Sequence, residues 1–174
     1  VEKSLRLLRS IAFHESFEPV PGFRARFTRV GHILGAASVF LEVDGESIMF
    51  SGDIGRPSDP ILRAPEPRTK ADYVVIESTY GNREHVESNL TEQLREAIVR
   101  TIVRGGIVLI PAFSVGRTQL VLETLLRLKE SGEIPDVPVY LNSPMSIRVN
   151  TVFCQHAEET ILPKERVREI CDVA

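Results

Sequence analysis

The dipeptide Asp44-Gly45 stands between two short runs rich in apolar residues, Ser38–Val43 and Ser47–Ser51. A two-residue Asp-Gly link tolerates left-handed backbone at both positions, so it closes an antiparallel hairpin with little strain. Whatever else the chain does, its fold has to accommodate that hairpin. The surrounding stretch, GHILGAASVFLEVDGESIMFSGD, runs from Gly31 to Asp53 and carries His32 near one end and Asp53 at the other. Both are metal-ligating residue types. Taken alone, the stretch reads either as half of a metal site or as a hairpin with polar ends.

The rest of the chain divides into two kinds of pattern. Leu5, Leu8 and Arg9 sit at helical spacing, FEPVPG reads as a turn-rich connection, and RARFTRV alternates like a half-buried strand. Prolines at 57, 60, 65 and 67 make Arg56–Lys70 an irregular surface loop. Asp72–Glu77 (DYVVIE) is then a short continuous apolar strand of the sort found in sheets covered on both faces. Asn89 can cap a helix, with Glu92 at the capping-box position and Gly105-Gly106 at its end. A strand at Ile107–Pro111, a helix at Arg117–Lys129 and a strand at Val137–Leu141 complete an expected βαβ unit. Antiparallel β thus precedes α/β, with the break between Tyr80 and Ser88.

Composition narrows the class. With 174 residues, 43% hydrophobic and 26% charged, the chain suits a globular protein with a real core. No apolar run is long enough to span a bilayer, so no membrane partner is expected. Cys154 and Cys171 show no CxxC spacing, which predicts free thiols and a reducing, cytoplasmic setting. A net charge of −3 argues against holding nucleic acid by bulk electrostatics, though it allows a local groove.

Three strands end in residues that can carry chemistry. His32 follows one strand and is flanked by the small residues Gly31, Gly35, Ala36 and Ala37. Asp53 closes IMFSGD, where a carboxylate can accept the charge of cations or simply cap its own turn. Glu77 ends a run otherwise apolar, a costly place for an acid unless it is paired or functional.

GHILGAAS, FSGDIGR and ESTYGNREH, in that order, resemble the later motifs of metallo-β-lactamase-fold hydrolases of the β-CASP group, RNA-processing nucleases. The likeness continues through PAFSVGRTQ and LNSPMS to about His156. It implies an α/β fold: a partial metallo-β-lactamase αββα sandwich over residues 1–83, then the start of a Rossmann-like β-CASP domain over 84–174. It also implies a zinc-dependent ribonuclease with two zinc ions, His32 binding one and Asp53 bridging both. Glu77 would support the metal site and take part in proton transfer. The expected substrate is RNA, and the resemblance leaves room for a homodimer. A DNA-directed repair nuclease of the same group, or a non-catalytic RNA-binding scaffold, stands as the alternative.

The departures are equally informative. The family's HxHxDH motif would precede Val1 and two histidine motifs would follow Ala174, and no match to them occurs within the chain. His14, His85 and His156 do not fit those contexts, and solvent exposure is expected for His85 and His156. The chain therefore reads as an internal segment, which by itself should bind zinc weakly and have little activity. In PAFSVGRTQ, Ser114 and Arg117 lie where a helix begins, a place that favours anions, so they are candidates for contact with nucleic-acid phosphate. Ordinary capping by Ser114 with a solvated Arg117 accounts for the same residues.

Overall fold

The computed structural model describes residues 2–84 and 89–173, which form two compact units. The first comprises residues 1–59 and 63–81; the second comprises 60–62 and 82–174. His85 lies outside the described residues.

The first unit opens with a short helix, α1 (Glu2–Leu5), which ends well before Arg9. Its body is a five-stranded sheet in sequential order: β1 (Ser16–Val20), β2 (Phe23–Arg29), β3 (Ala37–Val43), β4 (Glu46–Phe50) and β5 (Tyr73–Val75). The first four strands are antiparallel and β5 runs parallel to β4. The expected hairpin is β3–β4, and Val43 faces Glu46 across a turn in which Asp44 has φ +51° and Gly45 φ +83°. FEPV, expected as a connection, instead belongs to β1. Pro19 is tolerated because β1 is an edge strand and needs ladder bonds on one side only.

The proline-rich segment is irregular, as expected, yet it is not loose. The Glu66 N–H donates to the Arg29 carbonyl (3.1 Å), and Arg29 Nη1 lies 2.6 Å from Glu66 Oε1. The sheet buries residues on both faces, Ala25 on one and Thr28, Ser38 and Met49 on the other. A second expectation needs correcting here: β5 is not covered on both faces. Tyr73, Val74 and Val75 are 57%, 54% and 49% exposed.

The second unit contains α2 (Leu90–Ile102), α3 (Arg117–Glu130), α4 (Pro144–Gln155) and α5 (Lys164–Asp172). Asn89 caps α2 as predicted, accepting from the Glu92 N–H at 3.1 Å. The Glu92 carboxylate pairs with Arg95 on the next turn of the helix. Ile98, Leu125, Leu128 and Ile134 form the core, with Val108 and Val139 packed on it. The strands expected at Ile107–Pro111 and Val137–Leu141 are not formed, so the βαβ unit is absent from the described residues. Both segments do alternate: Val108 and Val139 turn inward, while Ile107, Leu109 and Tyr140 are more than four-fifths exposed. They follow the pleat of a strand without a ladder to define one.

Free thiols were also expected, and Cys154 and Cys171 are instead joined in a disulfide with Cα atoms 6.4 Å apart. Packing of α4 against α5 brings these positions together, and spacing along the chain carries no sign of that. A bridge closing a loop of this length stabilises by about 3 kcal/mol.

Candidate metal centre

His32, Asp53 and Glu77 converge at one end of the sheet in the first unit. His32 follows β2, Asp53 follows β4 and Glu77 follows β5, so three strands hand their next residues to one place. Two glycines set the spacing. The Gly55 N–H donates to the Val30 carbonyl (2.8 Å), drawing the Asp53 turn against the His32 turn. A Cβ on Gly55 would lie 2.0 Å from the Gly31 carbonyl oxygen, and one on Gly31 would lie 2.4 Å from the Arg63 carbonyl oxygen. Only residues without a side chain permit that approach.

His32 Nε2 and Asp53 Oδ2 are 4.0 Å apart, and the two side chains are 48% and 70% exposed. An imidazole nitrogen and a carboxylate oxygen suit zinc, which binds each at about 2.0–2.2 Å. Two such bonds reach across at most about 4.2 Å, so the pair can share one ion after a small closure. Both groups face solvent. Among the described residues, however, no group of three His, Cys, Asp or Glu side chains is placed to hold a metal. The described residues offer two ligands at this place.

Glu77 is occupied differently. Its Oε1 accepts from the Ile54 N–H (2.6 Å) and its Oε2 from the Thr79 hydroxyl (2.7 Å). The Ile54 N–H and the Thr79 hydroxyl hold its carboxyl below the usual range, and nearby His32 adds a smaller effect in the same direction. Glu77 is therefore an ionised acceptor tied to the residue after Asp53. Its own N–H donates to the Ser51 hydroxyl (3.0 Å), and Ser51 Oγ donates in turn to the Gly52 carbonyl (2.7 Å). Ser51 and Thr79 were missed from sequence. The only available signal was their place beside Gly52-Asp53 and Glu77, and hydroxyl residues beside a turn are commonplace.

Ser114 and Arg117 belong to the second unit. Arg117 opens α3 and is exposed. The Ser114 hydroxyl is hydrogen-bonded to the buried Ser146 hydroxyl at the start of α4 (2.9 Å). The helix end is largely satisfied internally. The Gly116 N–H donates to Gln119 Oε1 (2.9 Å), Arg117 N–H to the Val115 carbonyl (2.9 Å) and Thr118 N–H to the Phe113 carbonyl (3.1 Å). The side chain of Arg117, more than the helix terminus, is what this end presents. His14 pairs with Glu66 (3.0 Å) and His156 with Glu158 (3.5 Å). Neither histidine lies in the group at the sheet end.

No protein-family model matches the chain. Individual proteins do. It is 34% identical over 160 residues to an RNase J-like protein of Methanocaldococcus jannaschii, covering 90% of this chain and 38% of that protein. It is 35% identical over 159 residues to cleavage and polyadenylation specificity factor subunit 3-I of Arabidopsis thaliana, covering 88% of this chain and 22% of that protein. Ribonuclease TTHA0252 of Thermus thermophilus is 34% identical over 154 residues, 88% of this chain and 35% of that protein. The described residues form a mixed α/β fragment with a five-stranded sheet. These relatives, similar over most of this chain, support a β-CASP RNA-processing nuclease family. It spans between about a fifth and two fifths of the length of the relatives named here.

Proposed function

We propose that this chain is part of a zinc-dependent ribonuclease that hydrolyses RNA phosphodiester bonds in the cytoplasm. Residues 1–83 would be part of its metallo-β-lactamase domain and residues 84–174 the beginning of its β-CASP domain. His32 and Asp53 are the residues of this chain that would hold the zinc ions. The described residues supply no third ligand. When bound, two zinc ions supply Lewis acidity toward the phosphodiester oxygens and lower the pKa of water at the site. The chain's own residues do the arranging: the His32 and Asp53 turns are locked against each other, and Glu77 holds the backbone that follows Asp53. Arg117 and Ser114 are proposed to contact the RNA backbone, with Arg117 giving a charged contact to phosphate.

What carries this reading is the convergence of His32 Nε2 and Asp53 Oδ2 to 4.0 Å at the ends of separate strands. The ribonuclease names of the relatives support the RNA assignment. In the full-length parent protein, Asp53→Ala is expected to abolish RNA cleavage while the circular dichroism spectrum and melting temperature stay near those of wild type. Near-wild-type turnover in that variant sinks the assignment.

A further inference from the structure

The turn that carries Asp53 is held from both sides. Before Asp53, the Gly52 carbonyl accepts from the buried Ser51 hydroxyl (2.7 Å); after it, the Ile54 N–H donates to Glu77 Oε1 (2.6 Å). The first hold is short and built on a residue in the strand layer. The second hangs on a glutamate, whose side chain keeps several rotatable bonds unless something fixes it. Thr79 is what fixes it, since its hydroxyl donates to the other carboxylate oxygen, Oε2, at 2.7 Å. Thr79 is exposed and contributes nothing to the buried core, so packing does not account for its placement.

We infer that Thr79 is a positioning residue: it orients the Glu77 carboxylate onto the Ile54 N–H and so fixes the turn from which Asp53 projects. This rests on the reading of Asp53 as a metal ligand given above. The chemistry is that of an outer partner orienting a ligand, where removing the partner typically weakens metal affinity or activity by about 10- to 100-fold. A valine at 79 keeps the shape of threonine without the donor, whereas serine keeps the donor and loses a methyl group.

The test uses the full-length parent protein with Thr79→Val, Thr79→Ser and Asp53→Ala. Zinc affinity is measured by competition with a chromogenic chelator, and kcat and KM are measured on an RNA substrate. Thr79→Val is expected to lower zinc affinity and kcat by about 10- to 100-fold with KM changed less than about threefold, and Thr79→Ser to restore both. A valine variant with wild-type zinc affinity and kcat overturns the inference. So does a serine variant as impaired as valine, since a lost methyl group would then explain the effect. If Asp53→Ala abolishes cleavage while Thr79→Val is silent, the role of Thr79 alone is refuted. If Asp53→Ala cleaves normally, the metal-site reading falls, and the role of Thr79 falls with it.

Discussion

Gly55 packs directly against the Gly31 backbone beside the two candidate ligands, leaving no space for a side chain at 55. Gly55→Ala would push its new Cβ into the Gly31 backbone, not into a flexible side chain that could yield. The expected cost is about 1–3 kcal/mol or more, read from urea unfolding, together with weaker zinc binding by the parent protein. Alanine at 55 with unchanged stability and metal affinity would show that the two turns are not held by this contact. The small residues around His32 were visible in the sequence. Gly55 as their partner was not, because a contact between turns on separate strands leaves no local pattern. Asp53 and Glu77 were legible for a different reason: each closes a largely apolar run, where an ionisable group is conspicuous, while His32 stood out as a metal-ligating type among small residues.

Elements were legible where the signal is local. The Asp44-Gly45 turn, the Asn89 cap and helix α3 follow from turn chemistry, capping and helical periodicity. The strands expected at 107–111 and 137–141 failed because a strand is defined by its neighbour, and alternation along one segment cannot supply one. The same dependence explains an anchor that sequence reading passed over, at the start of the β4–β5 pair. The Ser47 hydroxyl (2.6 Å) and Ser47 N–H (2.8 Å) both donate to Asp72 Oδ2, holding its carboxyl below the usual range. A carboxyl made more acidic by folding stabilises the folded state above its unfolded pKa, ordinarily 3.8. That contribution disappears as pH falls through the lower folded value. Hydrogen exchange at the Ser47 amide should therefore lose protection on acidification in the wild type. In Asp72→Asn it should be faster at neutral pH and lack that acid transition. A wild-type profile without the transition would remove Asp72 from this role.

At the scale of the whole molecule, the order of motifs pointed to the family, while the apolar surface left open on β5 and at Ile107 and Leu109 was not anticipated. Apolar runs look alike whether or not something covers them. A site with two ligands should also be a weak one. Calorimetric titration of the 174-residue polypeptide with zinc is expected to show no stoichiometric submicromolar binding, and tight binding would mean that the missing ligands are not needed. The parallel pairing of β4 with β5 has a kinetic consequence. The β3–β4 hairpin closes through a two-residue turn, whereas β5 reaches β4 only after the chain closes the long connection of residues 51–72. Loop-closure entropy makes such a non-local pairing slower to form than the hairpin. Asp53 therefore emerges with an early structure, while Glu77 reaches Ile54 with a late one. Newly synthesised chains pass through an interval in which the aspartate is present and its turn is not yet held, so the site matures after the hairpin that displays it.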